Sequence, residues 1–460
     1  MDSKDVKDVD HRVSVDVRGS PITNLDNHQE HHDVLDTEYL ASRGLSKFYH
    51  SVLFQMILFG ALSFVGPAMS DAISNLGGGG LSTPFLSNLA NSVDYASGCL
   101  ISLFGGPLIN KLGIKWACVI ASIGMPLGPS GYYQSARFGT DWYLLLAKAC
   151  YTPTSFAMDG TCVLIETLRS LEALPADFCG IAWGTYLIFV AFACTGIIWA
   201  LLLSPTRLVR RRDGSRVPTS STTSWAGELK ALARHLRAPK TWLVFIPAFY
   251  SFFYGGTMGT YLSLHFSVRA RALSTLITPS ITVPMVIAFG RLLDTKHWSQ
   301  KTRAWISFAF WVIPQAACFI WIGLEYKSFG ASDVSLDYIL QPRRWAAAYF
   351  PYLIVFTTGY LTQLSLYWIL GTFSVDTKSN ARTGGLFRAF ETAGQAVSYG
   401  INSSSGGDVR IGFFVNCALL VVSVPCMWFL IGLVPDRPSE IDLDEVDEVD
   451  SRVLVGVGSR

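Results

Sequence analysis

Eight uncharged stretches of membrane-crossing length constrain this chain more than any other feature. They cover residues 51–70, 116–136, 180–206, 242–264, 272–290, 304–324, 345–375 and 411–435. A hydrocarbon core about 30 Å thick needs about 20 apolar residues per helix, and a helix satisfies all its own backbone groups in lipid. The runs therefore predict an all-α polytopic membrane protein whose first partner is the lipid bilayer. Half the residues are hydrophobic, 15% are charged and the mean hydropathy is +0.35, which excludes a soluble domain of this size. The net charge of +2 is carried mostly in loops and tails, so no nucleic-acid partner is expected. The nine cysteines lie mostly inside or at the ends of apolar runs and form no C-x-x-C pair. Neither a disulfide framework nor a metal site is expected, and no cofactor.

Residues 1–46 are polar, rich in Asp and His and aperiodic, and residues 436–460 are acidic; both are expected to be disordered tails. His28, His31 and His32 read as solvated tail residues. The run Gly77-Gly78-Gly79-Gly80 follows no strand and precedes no Lys-Ser/Thr, so it is a linker and not a phosphate cradle. Within a first bundle (47–204), helices are expected at 48–70, 84–109, 114–136 and 180–203, with another starting at Trp142. A second bundle (241–435) shows six, at 241–265, 271–291, 304–324, 345–371, 383–401 and 411–434. Between the bundles, residues 205–240 form a basic soluble linker with nine Lys and Arg.

Eleven clear helices leave a parity problem. With six per half, eighteen Lys and Arg fall in the loops on the linker side and six in the opposite loops. The positive-inside rule then puts the linker and both termini in the cytoplasm. Five helices in the first half would put the linker outside. The region in question is 148–180, where Lys148, Pro153, Asp159 and Glu166 interrupt the apolar pattern. It is expected to be either a poor helix held by its neighbours or a degenerate segment.

Two basic hairpins mark equivalent places in the two halves. Gly106 is followed after three residues by Asn110, then Lys111, Gly113 and Lys115; Gly290 is followed after three residues by Asp294, then further bases. Two such copies suggest a duplicated bundle, as in many transporters. Gly106 and Gly290 are expected to let neighbouring helices approach closely, and Asn110 and Asp294 to hold adjacent helix ends when that side is shut.

The first hairpin resembles the loop between the second and third helices of the major facilitator superfamily, Gly-x-x-x-Asp-Arg/Lys-x-Gly-Arg/Lys-Arg/Lys. Gly106, Lys111, Gly113 and Lys115 fit it; Asn110 and Ile114 depart from it, and the second copy keeps Asp294 but not the later glycine. The runs Phe48-Tyr49-His50-Ser51-Val52, Asn75-Leu76-Gly77-Gly78-Gly79-Gly80, Asn88-Leu89-Ala90-Asn91-Ser92, Ile181-Ala182-Trp183 and Arg210-Arg211-Arg212-Asp213-Gly214 resemble the fungal branch of the uncoordinated-93-like family. The likeness covers most of 46–435 and fails at about 150–178. It implies two six-helix halves, with the second and eleventh helices in contact at their junction. It also implies one of two functions. One is a carrier of a small organic solute working by alternating access, in fungi a secondary-metabolite exporter; the other is a non-transporting accessory subunit of a channel or receptor, with a protein partner.

The ionisable residues inside the runs supply the candidate site. Asn88, Asn91 and Asp94 share one helix face, and Arg388, Glu391, Gln395 and Tyr399 form a polar stripe on another helix. A charge at mid-depth costs at least about 2.5–3.5 kcal/mol, so Asp94 and Glu391 should face the protein interior. In the carrier reading, Asp94, Arg388 and Glu391 form a gating or proton-coupling cluster, with Asn91 and Gln395 beside them. In the plainer reading Arg388 is an interfacial anchor, Glu391 its i+3 partner and Asp94 a packing hydrogen-bonder. No Ser/His or paired-Asp arrangement has catalytic spacing, so no enzyme is expected. Asn402-Ser403-Ser404 is the sole glycosylation triplet, with Asn402 as acceptor.

Overall fold

The computed structural model describes residues 45–69, 73, 84–159, 183–210, 224–295, 297–329, 335–373, 377–404, 408 and 410–435. The expected tails, the glycine run, most of 148–180, the Arg211–Arg212 pair and Lys296 lie outside these residues. After a short turn of helix at Leu45–Tyr49, α1 (Val52–Ser63) begins at Ser51, whose hydroxyl accepts the Phe54 N–H. It continues into a π-helical turn, Phe64–Ala68.

Pro84–Gly124 is helical except at Gly113, where φ is 75° and ψ 158°. That conformation is open to glycine and strained for other residues, so the helix breaks there into α2 (84–112) and α3 (114–124). The single helix expected over 114–136 ends early: Pro126 interrupts it, and α4 (Leu127–Phe138) completes the crossing. Gly139, at φ 67°, closes α4 by donating its N–H to the Ser135 carbonyl. In the next segment α5 (Asp141–Asp159) is helical through Lys148 and Pro153, the described part of the 148–180 region expected to be a poor helix or a degenerate segment. Then come α6 (Trp183–Cys194) and α7 (Gly196–Leu202), one apolar run bent at Thr195.

The linker holds a helix of its own, α8 (Trp225–Arg237), capped by Ser224. The second half follows: α9 (Pro239–Ser251) and α10 (Tyr254–His265) split the expected 241–265 helix at Phe252–Phe253. Four long helices complete it: α11 (Val268–Leu293), α12 (Gln300–Phe329), α13 (Pro342–Gly371) and α14 (Thr377–Ile401), then α15 (Arg410–Gly432). Interior prolines such as Pro107, Pro314 and Pro425 are accommodated, as is usual where neighbouring helices shield the freed carbonyl.

Contacts between helix ends give the direction of the described crossings in the first half. The Val52 N–H bonds the Arg210 carbonyl at 3.1 Å, the Arg210 N–H bonds the His50 carbonyl at 3.0 Å, and Gln55 Oε1 accepts the Ser204 N–H at 2.7 Å. The start of α1 and the end of α7 therefore share one face, here called the linker face. Tyr132 on α4 stacks on Tyr186 on α6, with ring centroids 6.3 Å apart, so α6 begins at the opposite, far face. Because α5 starts beside the end of α4, where Ser135 bonds Asp141, Asp159 ends at the linker face and Trp183 starts at the far face. The end of α7 lies at the linker face, beside the start of α1.

The second half packs around Trp311, Tyr261, Phe253 and Phe413, all fully buried. Large apolar side chains such as Ile123, Ile313, Ile320, Leu324, Val421 and Phe429 point outward, as lipid-facing positions do. Five described stretches are long and apolar enough to cross a membrane, among them Gln300–Phe329 and Arg410–Gly432. At the far face Asp337 pins the turn before α13: it accepts the Ile339 N–H, the Ser267 hydroxyl and the Arg269 guanidinium. These bonds hold its carboxyl down at about 2.

Candidate functional site

The two halves meet along α2 and α14, which run antiparallel and touch at both ends. At the far-face end, Asn88 donates from Nδ2 to Thr260 Oγ1 at 3.0 Å and to the Asn402 carbonyl at 2.9 Å. The Ser92 hydroxyl donates to the Ala396 carbonyl at 2.8 Å, and Tyr95 and Tyr399 stack with centroids 5.5 Å apart. All these contacts are neutral.

The linker-face end is held differently. A Cβ placed on Gly106 would lie 2.7 Å from Arg382 Cα and 2.8 Å from the Ala381 carbonyl oxygen, so the two backbones touch. Here glycine is required for the approach itself. Beside it, Arg382 donates from Nε to Glu228 Oε2 at 3.0 Å and from Nη2 to Oε1 at 3.3 Å. Both side chains are sealed, at 3% and 0% exposure. Asn110 donates to the same carboxylate at 3.4 Å, and Lys111 lies over the Trp225 ring, 5.7 Å from its centroid.

Between the two ends lie two further charge pairs, one buried and one with a half-buried arginine. Lys148 on α5 bonds Asp94 on α2 at 3.1 Å, with side-chain exposures of 2% and 7%. The ammonium also sits 5.4 Å from the Tyr132 ring centroid and 5.6 Å from that of Tyr151, which adds cation–π attraction where water is scarce. On α14, Arg388 Nη1 donates to Glu391 Oε2 at 2.8 Å, and Gln363 Nε2 on α13 donates to Glu391 Oε1 at 2.6 Å. Gln395, one turn further, is buried with its amide oxygen unbonded within the described residues. Asn91 is buried on α2, one turn from Asp94. A set of sealed charges and an unbonded amide at mid-depth can hold a polar solute or exchange a proton.

No protein-family model matches the chain. The notoamide biosynthesis cluster protein O′ of Aspergillus versicolor is 27% identical, the match covering 80% of this chain and 88% of that one. The UNC93-like protein 1 of Arabidopsis thaliana is 24% identical over 86% of this chain and 94% of its own length. Among solved structures, the Escherichia coli fucose:proton symporter superposes with a TM-score of 0.51 at 13% identity, covering 82% of this chain and 98% of that one. The chain is similar to UNC93-like membrane proteins and has the major facilitator fold.

Within this fold, the expected site residues divide. Asp94 and Glu391 are both buried at the junction: Asp94 pairs with Lys148, and Glu391 with Arg388 and Gln363. The two hairpins do not act alike. A Cβ on Gly290 would meet nothing within 4 Å, and Asp294 is exposed at the end of α11. Gly113 makes the hairpin turn; Lys115 is half-buried. Asn402 is 4% exposed and its amide donates to the Ser398 carbonyl at 2.7 Å, which leaves no room for a glycan in this conformation.

Sequence reasoning missed Lys148, Gln363 and the Glu228–Arg382 pair as site residues. Lys148 was legible: one basic residue seven positions into an apolar helix needs an anion at similar depth, and Asp94 is the one acid in the preceding spans. Glu228 gave no such signal, since an acid in a basic linker looks solvated.

Proposed function

We propose that the chain is a secondary carrier that moves a small organic solute across a membrane by alternating access, with the linker face in the cytoplasm. One observation carries this reading: the α2–α14 seam is closed by different devices at its two ends, with charge pairs whose carboxylates are buried between them. Two independently breakable closures flanking buried polar groups are what a midplane site with alternating exits requires. The relative named for a notoamide biosynthesis cluster supports a secondary-metabolite-like solute. Coupling to protons is supported by Asp94 and Glu391, since a carboxylate in such surroundings can cycle between charged and neutral forms.

The test is flux in proteoliposomes carrying the purified protein, with a panel of organic solutes and an imposed pH gradient. Concentrative uptake that Asp94→Asn abolishes, with folding and membrane delivery intact, is the expected result. No flux of any solute, with Asp94→Asn and Glu391→Gln both silent, would favour an accessory subunit instead. Orientation is tested separately: a cysteine replacing the exposed Lys230 should resist impermeant reagents applied outside intact cells.

A further inference from the structure

The closure at the linker face depends on a residue that belongs to neither membrane bundle. We propose that Glu228, on the linker helix α8, is the acid of this gate, a positioning residue that presents its carboxylate to α2 and so locks α2 against α14. What the lock serves depends on the carrier reading; the lock itself stands on the contacts around Glu228.

The hairpins supply the starting point. The second carries a carboxylate, Asp294, where the first carries the amide Asn110. An amide can donate a hydrogen bond but cannot offset the charge of Arg382, which lies at the same end of the seam and is almost sealed. Arginine stays ionised in proteins, so a buried guanidinium needs an anion. Glu228 provides it, accepting two hydrogen bonds from Arg382 and one from Asn110. Three helices, α2, α8 and α14, thus meet on one carboxylate.

Helix α8 is fixed so that this carboxylate cannot wander. Ser224 caps its start by accepting the Gly227 N–H at 3.1 Å, and Trp225 lies under Lys111 of the first hairpin. At its other end, Thr241 donates to the His235 carbonyl at 2.6 Å and the Trp242 indole donates to the Leu236 carbonyl at 3.0 Å. Those bonds tie α8 to α9 in the second half. Arg382 also belongs to that half, so the Glu228–Arg382 pair can travel with it. The Asn110 and Lys111 contacts then cross to the first half and break when the face opens. A sealed ion pair adds little net stability, because desolvation offsets attraction, but losing one partner strands the other charge. The pair therefore specifies one closed geometry more than it strengthens it.

Spin labels at Lys115 and Lys301, at linker-face ends of the two halves, read the lock directly in lipid nanodiscs without any solute. Glu228→Gln and Arg382→Gln should each shift the interlabel distances to longer, broader distributions, and the charge-swapped double variant Glu228→Arg/Arg382→Glu should restore the parent distribution. Thermal unfolding of each variant identifies those that have lost the fold. Because the swap keeps both residues charged, its recovery shows pairing and not mere tolerance. Folded Glu228→Gln protein with parent-like distances would overturn the lock while leaving the carrier reading intact. Failure of the swap to restore closure in folded protein would overturn it as well. A parent protein that moves no solute, together with the expected distance changes, would leave the lock standing and remove the carrier.

Discussion

In the first half the Gly106 hairpin presses its backbone onto α14 and is met by a carboxylate from the linker, whereas in the second half a Cβ on Gly290, at the same place in the spacing, would meet nothing within 4 Å among the described residues. The buried charges differ in a parallel way. The first-half pair, Asp94–Lys148, joins two helices. The second-half pair, Arg388–Glu391, lies within one helix, and Gln363 provides Glu391 with another donor. A repeated pattern therefore fixes the local turn but not the neighbours that turn will meet, and function follows the neighbours.

Lys148→Met is the strongest challenge to this contrast. It takes the ammonium away from the buried Asp94 carboxylate and should lower stability by up to about 3–5 kcal/mol, read as thermal unfolding in nanodiscs. Arg388→Met should cost less, because Gln363 still donates to Glu391 and the Arg388 side chain is 14% exposed. Equal losses would mean that the two pairs are equivalent after all. Adding Asp94→Asn to Lys148→Met should recover much of the first loss, since both charges are then gone.

Gly106→Leu comes next. Its side chain would enter the α14 backbone, so overpacking of about 1–3 kcal/mol is expected, with slowed transport. Gly290→Leu should stay within about 0.5 kcal/mol of the parent, because nothing lies in its way. Reversal of that order in the unfolding temperatures would remove the asymmetry of the hairpins.

Smaller effects are expected at the neutral end of the seam. Asn88→Ala removes two hydrogen bonds between the halves, and such bonds in membrane bundles average about 0.6 kcal/mol each. Its mark should be faster opening at the far face, seen as higher cysteine reactivity near Thr260. Asp294→Ala should be smallest of all, within about 0.5 kcal/mol, given its exposure. A large defect there in uptake would show that Asp294 finds a partner in another state of the cycle.

The sequence by itself determined the class of this protein. Uncharged runs of spanning length leave a chain no choice but to cross a bilayer as helices, and Asp94 and Glu391 could not face lipid. Period and length also placed most helices to within a few residues. Breaks at Pro126, Thr195 and Phe252–Phe253 were less legible, because apolar runs stay apolar across a bend. The partners of each charge were decided only by the tertiary structure. Lys148 looked like damage to a helix until α5 was seen packed against α2, where its ammonium meets Asp94. Glu228 looked like a solvated linker acid until α8 turned it onto Arg382. Local pattern reports which residues are costly to bury, but only the packing of helices distant in sequence brings together the charges that make their burial tolerable.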